Sequence, residues 1–304
     1  MKGGFIFVLL IFVFFKGYAQ QDLIPVVTDT LISYSQIIIH QPHSETKVLP
    51  VHKEPVYTLK YIVDIPIITT GTAFSLYAFT KIYDKGYSSI EQINNLKVSN
   101  INAFDRWSIY PYRSATHAIS GVEFYTAIPL PLILFLVTKD TRQDFCKLGF
   151  LYWETMSITG LFGAGAPLFI DRYRPFTYTS ETPMAKRQEP NAKNSAFSGH
   201  VQIVAASTFF IAKVYSDYYP EKKLMMFCFA SVATGGMAYL RLTQGMHFPS
   251  DIIIGTAIGT LSGILVPHFH KTKSSKTPII GIMPYSTGDV HGLVLSYKIK
   301  KKKV

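Results

Sequence analysis

Three residues between positions 241 and 251 have side chains suited to phosphate chemistry. Arg241, His247 and Asp251 fall at a break between two apolar segments. An arginine offers permanently charged, planar donors to phosphate oxygens, and a histidine near neutral pH can act as a nucleophile or carry a proton. A carboxylate can keep one imidazole nitrogen protonated and thereby aim the other. The spacing of four residues places His247 and Asp251 on one helical face if the second segment begins near His247.

Two earlier polar stretches also lie at the ends of apolar segments. Arg172 and Arg174 follow the apolar run 161–170, and the stretch 195–200 precedes the run 201–214. Backbone N–H groups at a helix N-terminus lack helical partners and favour an anion. These positions therefore suit an anion site built from the ends of several segments.

The three stretches together resemble the three-part motif of the type 2 phosphatidic acid phosphatase (PAP2) superfamily. That motif reads Lys-x6-Arg-Pro, then Pro-Ser-Gly-His, then Ser-Arg-x5-His-x3-Asp. The matching residues are Arg174, Pro175, Ser198, Gly199, His200, Arg241, His247 and Asp251. The chain departs from the motif at three positions, where Pro167, Phe197 and Leu240 replace Lys, Pro and Ser. Three motifs in the right order are strong jointly, although each alone would be weak.

The resemblance implies a role for each matching residue. His247 attacks phosphorus and forms a phosphohistidine, Asp251 orients His247, and His200 protonates the leaving oxygen and then activates water. The residues that hold the phosphate oxygens are Arg174, Arg241, Ser198 and the Gly199 N–H. Arg172 is the expected substitute for the missing motif lysine. No metal or other cofactor is expected, because the arginines neutralise the phosphate.

Composition favours a membrane protein. The chain has 304 residues, of which 48% are hydrophobic and only 16% charged, with a mean hydropathy of +0.20. The net charge of +11 suits an anionic lipid surface or a phosphate substrate. No nucleic-acid-binding motif accompanies that charge. Cys146 and Cys228 lie in or beside apolar segments and are expected to be buried thiols rather than a disulfide.

Six apolar segments provide the elements that must position these residues. They span approximately 61–80, 115–137, 148–170, 201–214, 224–240 and 251–268. Gly255, Gly259 and Gly263 repeat at every fourth position, which predicts close helix packing. The resemblance implies an all-α fold, a six-helix transmembrane bundle of the PAP2/haloperoxidase type. Residues 59–270 are expected to form this phosphatase domain.

The remaining parts of the chain are given simpler interpretations. Residues 1–19 read as a cleavable secretion signal, and residues 20–58 as an irregular leader. Residues 271–304 are expected to form a basic tail that includes a β-hairpin. The polar loop 176–194 is interpreted either as a substrate lid or as a plain solvated loop. Asp105 is expected to lie in a capped surface turn, with the periphery of the site as the alternative.

The number of membrane crossings decides which side the motifs face. A cleaved signal followed by six crossings places them in the cytoplasm, whereas five crossings place them outside. Basic residues in alternate loops favour an exterior or periplasmic site in the cell membrane, with segment 61–80 as the weakest span.

The expected activity is removal of a phosphate from a membrane lipid. Candidate substrates are undecaprenyl diphosphate, phosphatidic acid, phosphatidylglycerol phosphate and lipid A. Three alternatives stay open, because the motifs recognise phosphate alone. They are a soluble secreted acid phosphatase, a vanadate-dependent haloperoxidase and a non-catalytic lipid-binding protein.

Overall fold

Ten α-helices and a β-hairpin make up the described part of the chain. The computed structural model describes residues 55–272 together with the backbone of two later strands. The helices are α1 (Tyr61–Ile82), α2 (Ile90–Asn94), α3 (Ser114–Ala127), α4 (Leu130–Phe135), α5 (Lys139–Gln143), α6 (Phe145–Phe169), α7 (Met184–Arg187), α8 (Gly199–Tyr218), α9 (Lys223–Thr243) and α10 (Pro249–His270). The predicted signal, residues 1–19, and nearly all of the predicted leader, 20–58, lie outside the described residues.

All six apolar segments are helical, which confirms the all-α bundle. The segment 201–214 extends in both directions and becomes the 20-residue helix α8. The segment 115–137 differs from a single span, because the chain breaks between α3 and α4. Pro129 and Pro131 lie at this break. Each proline lacks a backbone N–H and its ring crowds the preceding turn, so the helix cannot run through.

Helix α8 lies at the centre of the bundle. It packs against α10, α9, α6 and α3, while α1 packs along α6 on the outside. Because α8 has neighbours on nearly every side, its buried residues include small and polar ones as well as Val201, Phe210 and Ile211. The first turn of α8 carries the second motif, so the central helix fixes where that motif lies.

Three of the helices are long and apolar enough to cross a membrane. They are α1, α10 and the stretch Pro220–Thr243 that includes α9. Their outer faces expose large apolar side chains, among them Ile62 at 92% and Val232 at 75%. Such surfaces require an apolar solvent, and the chain is therefore a membrane protein. The mean hydropathy of an 18-residue window is 1.4 in α1 and 1.3 in Pro220–Thr243, so α1 is not the weakest span, contrary to the sequence-based expectation.

The glycine repeat of α10 brings this helix into backbone contact with α8, as predicted. A Cβ atom on Gly255 would lie 2.8 Å from the Ser198 carbonyl oxygen, and one on Gly259 would lie 2.2 Å from the Gln202 carbonyl oxygen. Gly263 meets the next turn of α8 in the same way. This close packing holds the second and third motifs against each other.

Replacing Gly259 with alanine is therefore expected to lower stability. The added methyl group would force α8 and α10 apart, at a cost of about 1–3 kcal/mol. The measurement is thermal unfolding of the detergent-purified protein. Gly235→Ala is the matched control, because a Cβ there meets no atom within 4 Å. Equal melting temperatures for the two variants would contradict this account of the glycine repeat.

The segment before α1 and the segment after α10 contact each other at the end of the bundle opposite the motifs. Tyr57 forms an isolated antiparallel bridge with Lys271, and the Thr58 N–H donates to the His270 carbonyl at 2.8 Å. The buried Tyr57 hydroxyl donates to Asp217, which also accepts from Lys271. Residues 55–58 and 271–272 therefore lie together at this end of the bundle.

Two further predictions from the sequence can be compared with the structure. Strands β1 (Ile280–Ser286) and β2 (His291–Tyr297) pair antiparallel, which confirms the predicted C-terminal hairpin. Cys146 and Cys228 are both free, as predicted, but they are exposed rather than buried. They lie on outward-facing sides of α6 and α9, and an apolar sequence context does not distinguish a side chain facing lipid from one facing the core.

Candidate active site

The motif residues come together at one end of the bundle. The C-terminal ends of α6 and α9 meet the N-terminal ends of α3, α8 and α10 there. The turn between α9 and α10 depends on Gly245, whose φ of +66° suits glycine and whose Cβ position lies 2.1 Å from the Tyr110 carbonyl oxygen. This turn carries His247 into the interior, where only 2% of the residue is exposed.

The contacts of His247 define its tautomer. Its Nδ1 lies 2.7 Å from the Ser195 carbonyl oxygen, which can only accept a hydrogen bond. Its Nε2 lies 3.1 Å from Nη1 of Arg174 and 3.5 Å from Nη2 of Arg241, and guanidinium groups can only donate. The ring is therefore neutral, protonated on Nδ1, with the Nε2 lone pair directed between two arginines. A nucleophilic histidine requires this arrangement.

Burial and positive charge keep His247 in this neutral form. Burial lowers the pKa of the imidazole well below its usual 6.5, and the nearby charges of Arg174 and Arg241 lower it further. Burial likewise lowers the pKa of Arg174 to about 10, so this guanidinium remains charged at neutral pH. The site thus combines an unprotonated imidazole with two cations, an arrangement that an incoming anion would stabilise.

Arg174, Arg241 and the first turn of α8 surround Nε2 of His247 and form what we call the cradle. Two buried donors in this cradle have no hydrogen-bond partner. Ser198 occupies the N-cap of α8, but its hydroxyl makes no capping bond and its Oγ is unpaired. The Nε atom of Arg241 is also unpaired, although the residue is almost completely buried, with only 1% exposed. Free N–H groups of the first turn of α8, including that of Gly199, lie beside Ser198. Unpaired buried donors cost free energy, and a tetrahedral oxyanion would satisfy them.

Other polar residues fix the two arginines. Arg174 donates through Nε to the Asn191 carbonyl at 2.8 Å and through Nη1 to the Met246 carbonyl at 2.7 Å. Arg241 donates through Nη1 to Gln244 at 3.0 Å. Asn191 belongs to the polar loop 176–194, so this loop helps to build the cradle and is not a plain solvated loop.

Asp251 does not contact His247 directly, contrary to the role implied by the resemblance. Its carboxylate accepts hydrogen bonds from the Ser195 hydroxyl at 2.7 Å and the Phe248 N–H at 3.1 Å. Because the Ser195 carbonyl accepts from His247, Asp251 fixes His247 through Ser195 and the turn before α10. The 195–200 stretch includes Ser195, but its sequence gives no sign of this bridging position.

Arg172 also differs from its expected position. Its guanidinium forms ion pairs with Asp105, at 2.6 Å, and with Asp251, and it lies over the Phe248 ring at 4.5 Å. These contacts occupy the group with carboxylates, and no contact with His247 or Ser198 is among them. The geometry therefore favours a role in holding Asp251 over direct binding of phosphate.

Asp105 lies beside the site, which was the less favoured of the two predictions for it, and not in a surface turn. It is fully buried and accepts hydrogen bonds from the Ser250 N–H at 2.9 Å and the Ser250 hydroxyl at 2.6 Å. Burial alone would raise the pKa of its carboxyl group, but hydrogen bonds from Ser250, Asn102 and Arg172 outweigh burial and lower the pKa below its usual value. Asp105 thus remains charged and anchors Arg172 and the first turn of α10.

We expect Asp105→Asn to lower kcat/KM by about 10–100-fold, because small displacements of positioned groups reduce rates on this scale. The variant removes one of the two carboxylates that pair with Arg172 and weakens the contacts that hold the turn carrying His247. Asp171→Asn is the control, since the Asp171 side chain is 68% exposed and pairs with Lys85 rather than with a residue of the site. A steady-state assay of both variants is the test, and equal rates would exclude this positioning role.

His200 lies beside the cradle, as the sequence analysis predicted. It is the second residue of α8, and its ring packs against that of Phe124 with 4.4 Å between centroids. It is close enough to His247, Arg241 and Arg174 to interact with them electrostatically. His117, in the first turn of α3, also lies at this end of the bundle and packs against Tyr112.

Comparison with known proteins finds one family model that matches part of the chain. Residues 148–275 match the model of a family described as the PAP2 superfamily. A crystal structure described as the first transmembrane PAP2 type phosphatidylglycerolphosphate phosphatase from Bacillus subtilis is 15% identical; the match covers 69% of this chain and 96% of that chain, with a TM-score of 0.40. The search of curated proteins returned no match.

Proposed function

Because residues 148–275 match the PAP2 superfamily model, we propose that this protein is a membrane phosphatase that hydrolyses a phosphomonoester or diphosphate of a lipid. The observation that carries the proposal is the cradle itself. The lone pair of His247 is directed between two buried arginines, and the unpaired donors of Ser198 and Arg241 lie in the same cradle. These are the groups that a phosphoryl transfer to histidine requires.

The first chemical step is attack on phosphorus by Nε2 of His247. The bond from phosphorus to the leaving oxygen breaks. His200 enters this step as the imidazolium, which the bound phosphate anion favours, and donates its extra proton to that oxygen. Arg174, Arg241 and the N-terminal end of α8 hold the equatorial oxygens, where negative charge gathers during transfer. The positive charge that develops on His247 is offset by the Ser195 carbonyl at Nδ1.

The second step releases the phosphate. His200, now unprotonated, takes a proton from water as the water attacks the phosphohistidine. The bond between phosphorus and Nε2 breaks, and His247 returns to its neutral form with its proton still on Nδ1. Arg172, Asp105 and Asp251 contribute by holding the Ser195 and Phe248 backbone in place.

An apolar groove beside the site supports a lipid substrate. It has a volume of about 620 Å³ and runs along α3 and α4, lined by Ala118, Gly121, Val122, Tyr125, Pro129 and Leu130. Its first lining residues lie in the same turns of α3 as Ser120, which contacts Arg241. An acyl or prenyl chain lying in this groove would bring its phosphate group to the cradle.

The test is phosphate release by the detergent-purified protein from a panel of lipids without added metal. The panel contains undecaprenyl diphosphate, phosphatidic acid, phosphatidylglycerol phosphate, lipid A and a soluble phosphomonoester. We expect release from a lipid at a higher kcat/KM than from the soluble ester. Release from the soluble ester alone would support the secreted acid phosphatase. No release from any member would overturn the proposal.

We further propose that the cradle faces the cell exterior. Basic residues are frequent at the opposite end of the bundle, among them Lys139, Arg142, Lys213 and Lys222, and such residues favour the cytoplasm. If all six apolar segments cross the membrane, residues 55–58 then lie in the cytoplasm. With six crossings, an exterior cradle and a cleaved secretion signal at residues 1–19 cannot both hold, whereas with five crossings they can.

Labelling of an introduced cysteine shows which side of the membrane the cradle faces. In a background that lacks Cys146 and Cys228, both of which are exposed, Ser180→Cys is expected to react with a membrane-impermeant maleimide on intact cells. Glu221→Cys, at the opposite end of the bundle, is expected to react only after the cells are permeabilised. The reverse pattern would place the site in the cytoplasm and favour the cleaved signal.

A further inference from the structure

A second cluster of ionisable side chains lies at the end of the bundle opposite the cradle. Asp64 is in the first turn of α1, Glu154 is inside α6, and His270 is the last residue of α10. Their exposed fractions are 1%, 3% and 6%. One ligand atom from each residue lies within 4.8 Å of the others. Since α10 has 22 residues, the cluster is about 30 Å from the catalytic end.

The hydrogen bonds around His270 direct one nitrogen into the cluster. Its Nδ1 lies 2.8 Å from the Val266 carbonyl oxygen, which can only accept, so Nδ1 carries a proton. Its Nε2 lies 3.0 Å from Asp64 Oδ1 and 3.7 Å from Glu154 Oε2. A histidine that ligates a metal through one nitrogen usually donates its other N–H to a carbonyl or carboxylate in this way.

The carboxylate of Glu154 supplies an independent sign that a ligand is needed. Its Oε2 atom is buried and has no hydrogen-bond partner, although it is directed at His270. The Asp64 carboxylate is held from the other side, because the Lys60 N–H donates to Oδ2 at 2.6 Å. Two buried carboxylates carry two negative charges, and a proton on His270 would balance only one of them.

We propose that Asp64, Glu154 and His270 bind one divalent transition-metal ion, with Zn²⁺ as the best-fitting example. Zinc accepts histidine nitrogen and carboxylate oxygen at about 2.0–2.2 Å in tetrahedral geometry, which separates neighbouring ligand atoms by about 3.3–3.5 Å. The observed separations of 3.0 and 3.7 Å lie on either side of that distance. A neutral His270 and two carboxylates balance a charge of +2, and water completes the coordination.

This metal joins three helices and takes no part in phosphate chemistry. The residues that bind it come from α1, α6 and α10, whose pairing closes the end of the bundle near Tyr57 and Lys271. An ion that binds the folded state and not the unfolded state raises the melting temperature. The inference does not depend on the proposed phosphatase activity, because its readouts are metal content and stability.

The experiment uses the full-length protein in detergent, stripped with EDTA, reloaded with Zn²⁺ and desalted. We expect about one zinc per chain by elemental analysis and a higher melting temperature with zinc than without. Glu154→Gln and His270→Ala are expected to lose at least about tenfold in zinc affinity and the thermal shift. His268→Ala is the matched control, since His268 is exposed on the same helical turn as His270. This variant protein is expected to bind zinc as the wild type does.

Misfolding of a variant is separated from loss of the metal by comparison without zinc. Glu154→Gln keeps the shape of the side chain, so its melting temperature is expected to be no lower than that of the metal-free wild type. Cobalt loading should give visible absorption bands typical of tetrahedral coordination in the wild type and in His247→Ala, but not in Glu154→Gln. Wild-type protein that retains no zinc after loading, or zinc that survives in Glu154→Gln and His270→Ala, would overturn the proposal.

Discussion

Replacing His247 with alanine is expected to reduce kcat by at least about 10⁴-fold on every phosphate substrate that the protein hydrolyses. The loss is large because the variant removes the nucleophile and no neighbouring side chain can take over its position. The Nε2 atom alone lies between Arg174 and Arg241, at 3.1 and 3.5 Å. The measurement is phosphate release under saturating substrate, with thermal unfolding to show that the variant is folded.

His268→Ala is the control for the loss of an imidazole, because this exposed residue lies at the other end of α10. A second variant separates the two chemical steps. His200→Ala retains the nucleophile but lacks the group that activates water, so an ester with a good leaving group should leave acid-labile phosphate on the protein. Near-normal turnover in His247→Ala, or phosphate trapped on another residue, would overturn the assignment.

The sequence predicted the helices and the end at which the motifs meet. Apolar length identified all six segments, and the glycine repeat of α10 correctly indicated close packing against α8. These features depend on local composition and on spacing along one helix, and both are visible in a single sequence. Where Pro129 and Pro131 interrupt an apolar segment, composition alone gave a continuous span, whereas the structure has two helices.

Contacts between distant parts of the chain were much harder to predict. Asp105 looked like a turn residue because its neighbours are polar, yet it is buried against Arg172 and Ser250. The spacing of His247 and Asp251 suggested a direct hydrogen bond. In the structure both residues instead hydrogen-bond to Ser195, which lies between them. The cluster of Asp64, Glu154 and His270 joins three separate helices, and no spacing rule connects them.

The second large effect is expected from Arg174→Gln, which should lower kcat/KM by about 10²–10³-fold. The substitution removes a buried cation that lies 3.1 Å from His247 Nε2 and would face the transferring phosphoryl group. The neutral amide cannot stabilise the charge that gathers on the equatorial oxygens. Arg187→Gln is the matched control, because Arg187 also lies between α6 and α8 but donates to the Thr177 carbonyl.

The pH profile distinguishes this electrostatic role from a simple loss of packing. Attack requires neutral His247, whose pKa is lowered well below 6.5 by burial first and then by Arg174 and Arg241. The acid limb of wild-type kcat/KM, which reflects protonation of His247, should therefore lie below pH 6.5, whereas the alkaline limb reflects loss of the proton that His200 donates. Without Arg174 that pKa rises, so the acid limb moves to higher pH, although burial and Arg241 keep it below 6.5. Because both proteins act on the same substrate, ionisation of the phosphate cancels in the comparison. An acid limb at the same pH in both would show that the charge of Arg174 does not control the nucleophile.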